Sequence, residues 1–244
     1  MKNEIHKNSG STFQPFNKDV TDNSGYLYTT AAKLSSRLAN KRLSDATLCA
    51  LSFEGKRVID IGCGDGTYTI ELFDRANPTT ICGIDPAEKA IEIATTKVEN
   101  RPISFTTASA YKLPFDDRSF DIAHLRGVLH HMDDPAQALK EAFRVASNVI
   151  VIEPNGYNPI LKLIEHFSKY HIDHEEKSYP PHRLDRWVNQ HGGRVVSKRM
   201  IGLVPFFCPD SAAYFLKLIE PLAENIPLIN LLSCAVYVQV SHTQ

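Results

Sequence analysis

The chain has 244 residues, 43% of them hydrophobic, enough to bury a sizeable core in an α/β domain with embellishments. Its 27 Lys and Arg against 28 Asp and Glu leave a net charge of −1, so no broad field draws in a nucleic acid or an anionic membrane, and a small or neutral partner is favoured. Five cysteines (Cys49, Cys63, Cys82, Cys208 and Cys234) are too irregularly spaced for a disulfide framework or a C-x-x-C site, which points to a reduced, cytoplasmic protein.

In chain order, residues 1–25 are polar and without an apolar run, so they read as neither signal peptide nor anchor and are expected to be disordered or draped over the fold. No stretch approaches the ~18 apolar residues of a membrane span. Residues 26–244 read as one domain. Helix signals run from Ala31 to Leu51 and are followed by a strand, Lys56 to Ile61, whose apolar run ends at Gly62, Gly64 and Gly66. Alternating glycines after a buried strand mark a tight turn that a ligand can approach closely, with the next helix, from about Thr67, aiming its free N–H groups into the same crevice. A second strand ends at Asp85, about 20 residues on, where a carboxylate can accept two hydrogen bonds from a ribose diol. A plainer reading makes Asp85 the N-cap of a helix Ala87–Val98 with Pro86 as its first residue, and the two roles are compatible.

A third strand covers Ile103 to Thr107, and a fourth runs from Ser119 towards Leu125. Asp134-Pro135-Ala136-Gln137 then predicts a helix start with a capping box, and Leu139, Ala142, Phe143 and Ala146 give that helix one apolar face. The fifth strand is expected at Asn148–Glu153, the sixth at Arg194–Ile201 and a last one at Ser233–Val240. Strands alternating with helices predict an α/β fold, a doubly wound parallel sheet covered on both faces. In such sheets ligands sit beyond the carboxyl ends of the strands, where Gly62–Gly66, Asp85, Ser109, Leu125 and Glu153 all fall.

The glycine pattern departs from the G-x-G-x-x-G of dinucleotide folds. Val58-Ile59-Asp60-Ile61-Gly62-Cys63-Gly64-Asp65-Gly66 instead resembles the first motif of class I S-adenosylmethionine-dependent methyltransferases, and the order of the later segments resembles their type 11 group over Val58 to Pro154. The resemblance implies a Rossmann-like, three-layer α/β/α fold with a seven-stranded, mostly parallel sheet whose last strand is antiparallel. It implies S-adenosylmethionine as cofactor and S-adenosylhomocysteine as product. The cofactor would lie against Asp60, Gly62, Cys63, Gly64, Asp85, Pro86, Ala110, Leu125 and Arg126, with Tyr28 in a lead-in that closes over it. Ser109 stands where the group carries an acidic residue for the adenine amino group, so only a hydroxyl is offered there. Arg144 to Asn148 replaces a longer glycine-bearing turn, and Glu153-Pro154-Asn155 with Asn158-Pro159 resembles a signature of a subset of these enzymes.

His130 and His131 follow the fourth strand, where a neutral imidazole could take a proton from the acceptor; loop packing is the plainer reading. Arg126 could bind the cofactor carboxylate or pair with Asp133 or Asp134. His166, His171, His174 and Glu175 lack the spacing of a tight helical metal pair, so no metal is expected. Insertions near 156–182 and 202–232 would form the acceptor side, the second as an apolar lid or as helices packed on the sheet. Methyl transfer from a sulfonium needs alignment more than a nucleophile, so the expected function is methylation of a small-molecule acceptor, apolar in character, by a monomer or homodimer. A non-catalytic cofactor-binding partner shares every motif, whereas a nicotinamide dehydrogenase would need glycines and a catalytic constellation that are missing.

Overall fold

The computed structural model describes residue 29 and residues 33–168 and 177–243. Tyr28, residues 1–25, His171, His174 and Glu175 lie outside them. Seven strands form one sheet in the order β3-β2-β1-β4-β5-β7-β6. They are β1 (Arg57–Ile61), β2 (Thr80–Asp85), β3 (Ile103–Thr107), β4 (Phe120–Arg126), β5 (Ala146–Pro154), β6 (Gly193–Ile201) and β7 (Val236–Thr243). Strands β1 to β5 pair in parallel, while β7 runs antiparallel to both β5 and β6. The winding reverses between β1 and β4, opening a crevice at their carboxyl ends.

Alternation of side chains sorts β1 between the two faces. Ile59 and Ile61 join Leu125, Val149, Val151 and Tyr237 beneath helices α4 (Pro135–Val145) and α6 (Pro181–Gln190). Val58 joins Ile122, Ile150, Val236 and Val238 beneath α1 (Leu34–Ala50) and α2 (Thr67–Ala76). Between them in sequence come α3 (Glu88–Thr96) and α5 (Pro159–Phe167), and near the end α7 (Asp210–Asn225) and α8 (Pro227–Ser233). Among the described residues no helix is long and apolar enough to cross a membrane.

Several local expectations need correction. Helix α3 starts at Glu88 with Ala87 as its N-cap, so Asp85 is not the cap and Pro86 lies before the helix. The α4 cap is half the expected box: the Asp134 carboxylate accepts from Gln137 N–H at 3.0 Å, but the Gln137 side chain donates to Tyr111 O instead of returning to the cap. No turn separates α4 from β5, because Val145 ends the helix and Ala146 opens the strand. Strand β7 begins three residues later than expected, since α8 continues through Ser233.

The 202–232 segment also differs from helices packed apolar-side in. Helix α7 buries Ala213, Glu220 and Ala223 and exposes Tyr214, Phe215, Leu218 and Leu222. It is held to α1 by charge: Arg42 donates to both Glu224 oxygens, at 2.8 and 2.5 Å, and Glu224 also accepts from Gly202 N–H. Helix α5 likewise exposes Ile160, Leu163 and Phe167.

Candidate functional site

The glycine turn leaves β1 with Gly62, Gly64 and Gly66 all at positive φ, a region that L side chains rarely adopt. Gly62 and Cys63 donate their N–H groups to Ile84 O at 2.8 and 3.0 Å, which holds the turn against the end of β2. A Cβ on Gly62 would come within 2.3 Å of Val128 Cγ2, and one on Gly66 within 2.7 Å of Phe105. The turn therefore packs against the segment after β4 on one side and β3 on the other.

Asp85 closes β2 and is buried. Its Oδ2 accepts from Gly64 N–H at 3.0 Å and its Oδ1 from Ala87 N–H at 2.8 Å. Each oxygen keeps acceptor capacity beyond these bonds. Burial, opposed by the two backbone donors, pushes its pKa up to about 6. Beside it, Ala108 N–H reaches Asp85 O, bringing the end of β3 to the same point. Ser109 is exposed there, its hydroxyl accepting from Tyr111 N–H at 3.3 Å, and Ala110 is buried behind it. Pro86 and Cys63 are half-buried at the rim, and burial holds the Cys63 thiol well above its ordinary pKa.

Asp60 sits one layer below. Its Oδ1 lies 2.7 Å from His124 Nδ1 and its Oδ2 accepts from Thr69 Oγ at 2.5 Å. That buried trio ties β1, β4 and α2 together under the turn. The Leu125 side chain points into the core, so only its backbone is placed at the crevice. Arg126 lies 3.8 Å over the Tyr68 ring and donates to Ser44 Oγ at 2.9 Å and to the Asn40 backbone and side-chain oxygens at 3.2 Å. It thus faces α1 and α2.

Sequence reasoning overlooked Asp65, the aspartate between the last two glycines. It is buried, accepts from Thr29 Oγ at 2.8 Å and Thr67 N–H at 3.1 Å, and lies 3.4 Å from Lys97 Nζ. The α2 N-terminus is therefore partly capped by the turn itself. A cleft of about 220 Å³ opens beside it, lined by Thr29, Ser36, Arg37, Asn40, Thr67 and Tyr68.

Beyond β4, Gly127 at φ +62° leads into a single 3-10 turn, Leu129–His131. The two imidazoles lie with centroids 3.9 Å apart, and His130 Nδ1 is 2.8 Å from Glu153 Oε2. Among the described residues no group of His, Cys, Asp and Glu is arranged to hold a metal ion.

Comparison with known proteins agrees with this geometry. Residues 59–149 match a family model described as a methyltransferase domain. The chain is 36% identical over 113 residues to 27-O-demethylrifamycin SV methyltransferase of Amycolatopsis mediterranei, covering 44% of this chain and 41% of that protein. It is 32% identical over 120 residues to the demethylmenaquinone methyltransferase of Lactococcus lactis, covering 46% and 45%. The chain thus spans less than half the length of these curated relatives. The fold matches magnesium protoporphyrin IX methyltransferase of Synechocystis, solved with bound S-adenosylmethionine, at a TM-score of 0.66 and 13% identity over all of both chains. By sequence over residues 59–149 and by fold over its length, the chain is thus similar to class I S-adenosylmethionine-dependent methyltransferases of the type 11 group.

Proposed function

We propose that the protein transfers a methyl group from S-adenosylmethionine to a small-molecule acceptor by in-line displacement and releases S-adenosylhomocysteine. One observation carries this reading: the buried Asp85 carboxylate is bonded to Gly64 of the glycine turn and retains acceptor capacity on both oxygens. A ribose diol donates to such a carboxylate bidentately. Gly62 and Gly64 allow the methionine portion to approach the backbone, and Ser109 with Ala110 flanks the adenine. Arg126 acts from below, holding Tyr68 and α1 at the cleft where the methionine end would lie. Asp60, one layer below, supports the turn through Thr69 and His124.

The sulfonium is itself an activated leaving group, so the protein's part is to align donor and acceptor and to exclude water. When the acceptor atom carries a proton, His130, held by Glu153, is better placed than His131 to receive it. Residues 26–244 would work as one domain, in the cytoplasm, as a monomer or homodimer. The near-neutral charge supports a small acceptor over a nucleic acid. Relatives that methylate a rifamycin and a menaquinone precursor support an apolar one. Methyl-tritiated cofactor incubated with the protein and a panel of apolar hydroxylated small molecules should yield label in the organic extract; turnover by none of them, with cofactor bound, contradicts the small-molecule reading.

The exposed apolar rows on α5 and α7 favour a second reading, a cofactor-binding subunit of another protein. In that case the isolated chain binds the cofactor and gains activity only when its partner is added.

A further inference from the structure

The segment Glu153-Pro154-Asn155…Asn158 is assigned no role by the cofactor site, yet its three polar side chains are buried, Glu153 at 1% exposure, Asn155 at 0% and Asn158 at 4%. The asparagines brace the fold. Asn155 Nδ2 donates to Leu231 O and Cys234 O at 2.8 and 3.0 Å, and Asn158 caps α5 while donating to Ser233 O at 3.1 Å. Glu153 faces the other way, towards the crevice. Its Oε1 accepts from Val128 N–H at 2.8 Å and Leu129 N–H at 2.7 Å; its Oε2 accepts from His130 N–H at 3.2 Å and meets His130 Nδ1 at 2.8 Å.

A carboxylate has about four acceptor positions, and here each meets a nitrogen. Three of the four are backbone N–H donors, and the fourth position is filled in the same sense when His130 Nδ1 carries a proton and donates it to the carboxylate. We propose that Glu153 is a positioning residue for the methyl-transfer step. It sets the Val128–His130 turn against Gly62 and fixes a proton on His130 Nδ1, so that His130 exchanges protons only through Nε2.

The inference rests on the methyltransferase reading above. With a protonated acceptor, the acceptor's proton passes to His130 Nε2 as the acceptor atom bonds to the methyl carbon. The pair of the broken carbon–sulfur bond stays on sulfur, leaving a neutral thioether and an imidazolium held by Glu153. Glutamine in place of Glu153 reverses the arrangement. Its carboxamide keeps one oxygen for Val128 and Leu129, but its NH2 has no lone pair, so the ring must turn an unprotonated Nδ1 towards it and carry its proton on Nε2.

The test is nitrogen-15 NMR of the His130 ring in the full chain, assigned by a His130→Asn control, under conditions where the ring is neutral. The wild type should show a protonated Nδ1 with a pyridine-like Nε2, and Glu153→Gln should invert the two signals. A wild-type ring protonated on Nε2, or a Glu153→Gln ring that keeps the proton on Nδ1, overturns the proposal. If Glu153→Gln does not fold, the wild-type spectrum alone decides. A parallel titration of the wild type with S-adenosylmethionine separates the two claims: a fixed tautomer without cofactor binding removes the methyltransferase reading, and binding with the opposite tautomer removes only the role of Glu153.

Discussion

In the proposed function, Asp85 is the residue on which cofactor recognition turns. Replacing it with alanine leaves the Gly64 and Ala87 N–H groups and a ribose diol without their acceptor, so affinity for S-adenosylmethionine should fall by about 1–3 kcal/mol. Isothermal titration would show it, and unchanged affinity would take Asp85 out of the site. Its titration adds a second check. The folded-state pKa of about 6 lies above the ordinary 3.8, so between these values the folded protein binds more protons than the unfolded chain. Asp85 therefore lowers stability as pH rises from about 4 to 6, and the proposed ribose contact uses the ionised form. Affinity should hold above pH 6 and weaken as the pH drops through it, while the stability share of Asp85 moves in the opposite direction. An affinity flat across that range would contradict the account. Gly62→Val makes a steric test: at φ +77° with Val128 Cγ2 in the way of any Cβ, the turn must open, and binding should be lost while far-UV circular dichroism keeps the sheet signature.

At the scale of elements, strands and their carboxyl-terminal turns were readable because apolar runs and glycines are local signals. The boundaries that slipped are those set by distant partners. The capping box at Asp134 is half-formed because Tyr111, more than 20 residues upstream, takes the Gln137 amide. Helix α7 shows the larger limit. Its apolar residues suggested either a lid or packing on the sheet, but it docks on α1 through Arg42, Glu220 and Glu224 and turns Leu218 and Leu222 outwards. Periodicity gives a helix its two faces and not which one meets the protein. Burial of the Arg42–Glu224 pair is partial, so Arg42→Met should cost about 2 kcal/mol in urea unfolding, from the Glu224 carboxylate left inside without its cation. A change near zero would mean that solvent screens the pair and that other contacts hold α7.

For the whole molecule, alternating strands and helices fixed a parallel sheet, and the family's glycine motif implied the antiparallel seventh strand found between β5 and β6. The site was legible to a similar depth. Gly62, Gly64, Asp85, Ser109 and Ala110 meet at one end of the sheet, as strand-end logic requires. Asp60 and Leu125 turn inward, and Arg126 turns to α1 and α2. Asp65 and Glu153 gained their importance only from the partners that folding brings to them, Thr29 and Lys97 for one and the turn after β4 for the other. Acceptor identity stays unwritten in these residues because an activated sulfonium asks for alignment and not for a diagnostic nucleophile. The most direct test of the central claim is therefore calorimetric titration of the purified protein with S-adenosylmethionine, S-adenosylhomocysteine and NADH in parallel. The account predicts binding of both adenosyl ligands and none of NADH; no heat from either adenosyl ligand would contradict it.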